Sequence, residues 1–334
     1  MKSEMQRGNA CSMHSGWTAK LTPACVTIAR SGTPADAFNL LELDMADLDV
    51  LTTAQLTDGS AVDLRPNWNV DGTSIVFERR TASGSALWML RPQAGRVAAT
   101  CDPLDICNAG GTKVQGRAAF FAQDDFAFVS DRSGSPAIWR ANLAQHTCVP
   151  LTQPVADEAD YGPTTALDAA GRFLFFRIVG KGKPHLFEGQ LGGSIQPLTI
   201  GADQADQAWF MPGAQDIVFH SKRDGATAAY RQKAQHDAHA QRLGNVDEAT
   251  HFVTPFPSPD GRHVAFASAC EGVSQIWVAR SDGSGRQRLT DGPAPACFPA
   301  WSPSGDRIVF VRGAPLGEVP SGSLHVLVLG TSRG

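Results

Sequence analysis

The sequence lacks a long apolar run, and this absence excludes several classes of membrane protein. No stretch reaches the roughly eighteen consecutive apolar residues that a transmembrane helix needs. Residues 1–16 carry charges and no apolar segment, so they predict neither a signal peptide nor a membrane anchor. We therefore expect a soluble cytoplasmic protein, or a periplasmic one if the true start lies upstream.

The chain also lacks a basic excess and any cysteine pattern. Its formal net charge is -4 and its pI is about 6.1, which predicts no nucleic-acid partner. The seven cysteines show no repeated spacing and no CxxC pair, although a zinc site would need such ligands. We predict scattered reduced thiols and no cofactor, and we leave a divalent cation open.

No catalytic motif of recognisable spacing is present. The sequence contains no HExxH, phosphate loop or dinucleotide fingerprint. Residues Gly330–Gly334 match GxSxG, but that motif needs a following helix with Asp and His beyond it, and here nothing follows. His236 and His239 are close in sequence but lack an evident third metal ligand. These absences favour a protein that is not an enzyme.

What the chain does have is an internal repeat. The turn Pro257–Gly261 and the apolar segment His263–Phe266 recur as Pro299–Gly305 and Arg307–Phe310. Pro, Asp and Gly at these turns suit tight hairpins, so we interpret Asp260 as a turn residue and not as a catalytic one. A period of about 40–50 residues with several short strands is typical of a β-propeller blade.

The same elements recur along the chain with regular spacing. Seven segments, which we assign to inner strands, are separated by 43 to 51 residues and end near Ile28, Phe77, Phe128, Phe176, Phe219, Phe266 and Phe310. A third strand follows with an aromatic residue or histidine in register, at Trp88, Trp139, Phe187, Tyr230, Trp277 and His325. A fourth strand commonly ends in Leu-Thr, with the threonine at Thr57, Thr152, Thr199 and Thr290.

These units predict an all-β fold, a β-propeller of four-stranded blades. We favour seven blades, the first spanning residues 17–57, with six blades plus an irregular N-terminal segment as the alternative. The predicted domains are a flexible tail, 1–16, and a single propeller, 17–334. Propellers close by pairing the two ends of the chain in one blade. Residues 8–15 or the last four residues would supply the closing strand.

Three motifs in the chain resemble the repeats of the TolB-like, WD-repeat-like β-propeller family. They are the turn Trp301–Gly305, the loop Ser130–Gly134 and the blade ending Asp282–Thr290. The resemblance extends from about residue 17 onward and implies the fold alone. Repeats of this kind occur in TolB and in prolyl-oligopeptidase-like peptidases. The α/β domains that accompany the propeller in those proteins have no counterpart here.

Candidate binding residues lie where each outer strand leads into the next inner strand. Such loops line the mouth of the channel in a propeller, and function often resides on loops. The candidates are Asp63, Asp160, Asp206, Glu248 and His251. Their acids could bind a cation or a basic peptide segment.

The function we favour is a non-enzymatic, monomeric propeller that binds a protein or peptide partner at the channel mouth. One alternative is a lyase or hydrolase with an acid/His site, with or without a metal, in the central channel. Another is an accessory propeller of a peptidase-like system.

Overall fold

A computed structural model describes residues 48–93, 96–104, 114–199, 204–225, 227–244, 253–315 and 320–331. Every regular element in these residues is a β-strand, and the strands form six four-stranded antiparallel sheets. None of the described residues forms a helix that could cross a membrane. The predicted all-β propeller with four-stranded blades is confirmed.

The first three blades follow one another in sequence, each with its strands in chain order. Blade 1 contains β2 (Val62–Trp68), β3 (Ile75–Thr81), β4 (Gly84–Gln93) and β5 (Arg96–Pro103). Blade 2 contains β6 (Gln115–Ala122), β7 (Asp125–Ser130), β8 (Ala137–Asn142) and β9 (Thr147–Pro150). Blade 3 contains β10 (Glu158–Thr165), β11 (Arg172–Val179), β12 (His185–Gln190) and β13 (Ile195–Pro197).

The next three blades repeat this arrangement, with one change in the last. Blade 4 contains β14 (Ala205–Phe210), β15 (Asp216–Ser221), β16 (Ala228–Lys233) and β17 (Gln241–Arg242). Blade 5 contains β18 (Val253–Pro257), β19 (His263–Ser268), β20 (Gln275–Arg280) and β21 (Gln287–Arg288). Blade 6 contains β22 (Ala296–Trp301), β23 (Arg307–Arg312), β24 (Ser323–Thr331) and, as its outermost strand, β1 (Leu48–Gln55).

The first strands of the blades contact one another around a closed cycle, from β2 through β6, β10, β14, β18 and β22 back to β2. The described residues therefore close a ring of six blades. Six is the alternative count from the sequence, and the favoured seven is not confirmed. The predicted tail, the start of the predicted first unit with Ile28, and residues 332–334 lie outside the described residues.

The closing strand differs from both donors suggested by the sequence. β1 pairs antiparallel with β24, with Leu48 opposite Thr331 and Gln55 opposite His325. Because β1 pairs with the edge strand β24, blade 6 has four strands like every other described blade. The prediction that residues 8–15 or the last four residues close the ring is wrong. The segment just before β2 supplies the strand instead.

A second correction concerns the apolar segments used for counting. The segments ending near Phe77, Phe128 and their equivalents are the second strands of the blades, and the innermost strands precede the turns. The predicted register with the third strand holds in every blade except blade 3, as in Phe77–Trp88 and Phe128–Trp139. In blade 3 the partner of Phe187 is Phe175, one residue before the predicted position.

Two sequence signatures have structural explanations. In the loops after β7 and β15, the Nε atoms of Arg132 and Arg223 donate to Ser130 and Ser221 Oγ at 3.1 and 3.3 Å. Both guanidinium groups then lie over aromatic rings of their own blade, which packs the blade edge.

The turn aspartates are structural, as predicted: Asp260 Oδ1 accepts from the N–H of Arg262 at 3.0 Å.

Candidate functional site in the central channel

Each innermost strand contains a β-bulge where it faces the channel. The register between first and second strands shifts at the same place in all six blades. The first bulged residue has φ between 43° and 65° in every blade: Arg65, Arg117, Gly162, Gln207, Thr254 and Phe298. A bulge re-aims a side chain away from the regular pleat. The six bulges therefore form a ring around the axis, with a side chain at every bulge except that of Gly162.

Four of these residues and neighbours of all six line a cavity on the axis, with contributions from all six blades. The apolar part of the lining consists of rings and prolines, including Trp209, Phe256, Phe298 and Pro299. The polar part includes Arg65, Arg117 and Thr254. The cavity thus combines aromatic surface with positive charge.

Arg65 is held on one side of the cavity. Its Nη1 donates to Glu78 Oε2 at 2.7 Å, and its guanidinium lies 5.5 Å from the ring centroid of Phe298 in blade 6. Glu78 also pairs with Arg80 at 3.2 Å. A Cβ at Gly116 would lie 2.5 Å from the same Glu78 oxygen, so a larger residue in blade 2 would displace this carboxylate.

Arg117 crosses from blade 2 to blade 4. Its Nη2 donates to the side-chain oxygen of Gln207, and its guanidinium lies 5.3 Å from the ring centroid of Trp209. The residue is only 9% exposed. Burial, followed by repulsion from Arg65, lowers the pKa of Arg117 to about 9, although Asp206 and Glu78 oppose this shift. The guanidinium is therefore a destabilised cation at the centre of the ring.

The chain is similar to TolB proteins in part of its sequence and in its fold. No family model matches the chain. The Tol-Pal system protein TolB of Anaeromyxobacter dehalogenans strain 2CP-C is 31% identical over 124 residues, which is 36% of this chain and 27% of that protein. The solved TolB of Acinetobacter baumannii superposes with a TM-score of 0.57 at 18% identity, covering 72% of this chain and 57% of that one. The chain has a TolB-like β-propeller fold.

The chain is also similar to a solved enzyme and to an uncharacterised protein. A gluconolactonase from Xanthomonas campestris superposes with a TM-score of 0.61 at 16% identity, covering 85% of this chain and 91% of that one. An uncharacterised protein of Agrobacterium fabrum is 51% identical over 57 residues, 17% of this chain and 20% of that protein. The chain spans less than a third of the length of TolB from Anaeromyxobacter dehalogenans and of the Agrobacterium fabrum protein, so these comparisons show the fold alone.

The structure places the predicted aspartates of this TolB-like propeller at the start of its inner strands. The backbone N–H groups of Asp63 and Asp160 donate to the carbonyls of Gly322 and Pro136, each just before the third strand of the preceding blade. Ala205, immediately before Asp206, makes the equivalent bond to Pro184. The three aspartates therefore lie at one end of the ring.

Each of these aspartates is already paired within its own blade. Asp63 accepts two bonds from Arg79, at 2.7 and 2.9 Å, and Asp160 accepts two from Arg177, at 2.6 and 2.9 Å. Both aspartates are fully buried. Glu248 and His251 lie outside the described residues.

Asp206 differs from the other two aspartates because its partner is a histidine. Its Oδ1 lies 2.6 Å from His220 Nδ1, and His220 Nε2 is buried without a hydrogen-bond partner. A carboxylate that holds one nitrogen of an imidazole can orient the other nitrogen for proton transfer. The sequence did not single out His220: the histidine of its acid/His alternative, His251, lies outside the described residues.

The described part of the chain does not support the metal sites that the sequence left open. There, no group of three His, Cys, Asp or Glu side chains could hold a metal ion. His236, one of the two histidines considered for a metal, has its Nδ1 at 2.8 Å from the carbonyl oxygen of Pro197.

Sequence reasoning missed the arginine and threonine at the bulges. A signal was present: four of the six bulges are followed directly by proline, at Pro66, Pro163, Pro255 and Pro299. Proline donates no backbone hydrogen bond and in sheets is confined to edges and bulges. In these four blades an X-Pro pair just before the blade turn therefore marks the channel-facing residue.

Proposed function

We propose that this TolB-like propeller is a non-enzymatic binding protein that takes a protein or peptide segment at the mouth of its channel. The observation that carries the proposal is the cavity at the bulge ring, whose lining includes Trp209, Phe298 and two arginines. Tryptophan and arginine are enriched among residues that dominate binding energy, and aromatic residues among those at interfaces. The likeness to a Tol-Pal system protein supports the same class of function.

In this proposal the predicted aspartates have different roles. Asp63 and Asp160 hold the inner strands in place through Arg79 and Arg177, which shapes the mouth. Asp206 lies beside the bulge residue Gln207 and is the predicted aspartate nearest to the bound segment. We also propose that Glu248 and His251 contribute at the mouth.

Site-specific photocrosslinking tests the proposal directly. A photoreactive amino acid replaces Phe298 in the channel lining or, as the control, the half-exposed Val149 on outer strand β9. We expect irradiation in a native lysate to attach one polypeptide to the channel position and not to the control. Equal labelling at both positions, or none in the channel of a folded protein, would contradict the proposal.

A hydrolase or lyase is a second candidate because of the Asp206–His220 pair. His220 would act as a general base through Nε2, with Asp206 holding the other nitrogen. The assay is turnover of a panel of lactones and esters by the wild type and His220→Gln. Turnover that disappears in the variant, with unchanged folding, would establish this activity. The same rate in both proteins would exclude this histidine as the base.

A further inference from the structure

The charge at the centre of the channel is not fully compensated. Arg117 is only 9% exposed, and its Nη1 is buried without a hydrogen-bond partner. Burying a charged donor without an acceptor is costly. Its Nη2 donates a hydrogen bond to the side-chain oxygen of Gln207, which is a neutral acceptor, and its guanidinium lies over the ring of Trp209. No carboxylate makes a hydrogen bond or ion pair with Arg117 among the described residues.

A second unpartnered polar group faces the same cavity. Thr254, the bulge residue of blade 5, is buried and its Oγ1 has no hydrogen-bond partner. Both orphaned groups can donate a hydrogen bond, because a guanidinium offers only N–H groups and a hydroxyl offers one O–H. Two donors from different blades thus lack an acceptor in one cavity.

Space for Arg117 is made by the glycine of blade 3. At Gly162 a Cβ would lie 3.1 Å from Arg117 Nη1 and 2.6 Å from the ring of Phe176. The five other bulge positions carry a side chain larger than a methyl group and also have positive φ, so the backbone alone does not demand glycine. The missing side chain lets Arg117 extend past blade 3. Since Nη1 has no bond to lose, it can turn toward an acceptor in the cavity.

The neighbouring charges define what kind of acceptor fits. Arg65 is already paired with Glu78, and Asp206 is paired with His220. Of the two arginines among the described residues that line the cavity, Arg117 therefore remains without an ion pair, and it matches a single negative charge. A phosphate dianion would bring excess negative charge close to Glu78 and Asp206. The apolar walls of Trp209 and Phe298 favour an anion that carries an apolar group.

We propose that the channel holds a carboxylate group against Arg117 and Thr254. This inference rests on the proposed binding function and names the chemistry of the bound segment: a carboxylate next to an apolar side chain. A peptide C-terminus and a small organic acid both provide that chemistry. Arg117 supplies charge-assisted N–H bonds and Thr254 a further O–H bond. Arg65 adds long-range attraction.

Isothermal titration with simple probes tests the proposal. The probes are propionate, inorganic phosphate, and the dipeptide N-acetyl-Ala-Leu with either a free C-terminal carboxylate or an amide. We expect the free acid to bind about tenfold or more tightly than the amide, since a charge-assisted hydrogen bond is lost in the amide. Tighter binding of the dipeptide acid than of propionate would indicate a peptide terminus, and the reverse order a small acid.

Matched variants locate the binding. Arg117→Gln should weaken the free acid about tenfold or more while leaving the amide unchanged. Arg288→Gln removes an exposed arginine on outer strand β21 and should bind like the wild type. Without ligand, Arg117→Gln should melt at a higher temperature, because it removes an uncompensated buried charge. Thr254→Val provides a second variant with a smaller loss of binding.

The proposal is overturned if acid and amide bind alike, if phosphate binds as tightly as the carboxylates, or if no probe binds the wild type. Loss of binding in Arg288→Gln equal to that in Arg117→Gln would also overturn it. These outcomes are distinct from failure of the proposed function. A polypeptide crosslinked at Phe298 but insensitive to Arg117→Gln leaves a binding propeller without carboxylate recognition. Propionate binding without any crosslinked polypeptide instead leaves an organic-acid site.

Discussion

Thr57 Oγ1 accepts a hydrogen bond of 2.9 Å from the backbone N–H of Leu324, 267 residues further along the chain. The same bond, also at 2.9 Å, joins Thr152 to Ile138, Thr199 to Leu186 and Thr290 to Ile276. In those three blades the threonine follows the outer strand and its partner lies on the third strand of the same blade. The Leu-Thr ending is therefore a repeated clamp, and in blade 6 it joins the two ends of the described chain.

Replacing Thr57 by valine should weaken the closure of the ring. The substitution leaves the buried Leu324 N–H without its side-chain acceptor, which costs about 1–3 kcal/mol. We expect a similar loss for Thr290→Val, which breaks the equivalent bond in blade 5. Thr53→Val, at an exposed position of β1, should stay within about 0.5 kcal/mol of the wild type. Urea denaturation measures all three, and a Thr57→Val protein as stable as Thr53→Val would contradict the clamp.

The pairing of Asp63 with Arg79 predicts a structural role that can be separated from binding. Asp63→Asn leaves the Arg79 guanidinium without its carboxylate, and breaking a buried pair costs about 3 kcal/mol. Asp160→Asn should cost less, because Arg177 keeps Glu158 at 3.0 Å. Equilibrium unfolding of the two variants provides the measurement. Equal losses in both, or no loss in Asp63→Asn, would show that the arginine does not depend on this carboxylate.

His325 should make stability depend on pH in a defined window. Burial, and then repulsion from Arg312, lowers the pKa of His325 from 6.5 to about 4. Between these values the unfolded chain binds a proton that the folded chain does not, so stability falls as the pH is lowered from 6.5 to about 4. His325→Gln removes this contribution. Its free energy of unfolding should therefore depend less steeply on pH than that of the wild type, and parallel curves would contradict the shift.

Gly162→Ala should damage the channel more than a glycine substitution elsewhere. The new Cβ would lie 2.6 Å from the Phe176 ring, and overpacking of this kind costs about 1–3 kcal/mol. Gly213 also has positive φ, +84°, but a Cβ added there would have no neighbouring atom within 4 Å. Gly213→Ala therefore isolates the backbone cost of positive φ. The melting temperatures of the two variants are compared, and a larger drop for Gly213→Ala would contradict the packing argument.

Much of the blade could be predicted from the sequence because its determinants are local. The spacing of Phe128 and Trp139 follows from two antiparallel strands joined by a short loop, and the register appears as predicted. Turn residues such as Asp260 act within a few positions of their own backbone. The stacked Arg132 likewise lies over a ring of its own blade. These features repeat because the strands and turns of each blade pack in the same way.

The candidate site was harder to predict because opposite charges pair across strands. Asp63 and Asp160 resembled free acids in sequence, yet Arg79 and Arg177 lie directly opposite them in the register of the adjacent strand. Arg117 was missed because it lies inside a strand and not in a loop. Its significance depends on Gln207 and Trp209, about ninety residues away.

The sequence by itself determined the repeat, the four-stranded blade and its turns, since these depend on contacts within some fifty residues. Only the tertiary structure decided the blade count, the identity of the closing strand and the sign of the charge left in the channel. Leu56-Thr57 has the sequence of an outer-strand ending, but the neighbouring residues do not indicate which blade this strand completes. Closing the ring pairs β1 with β24, and closing it also brings six bulges around one axis. Both are consequences of contacts between residues far apart in the chain.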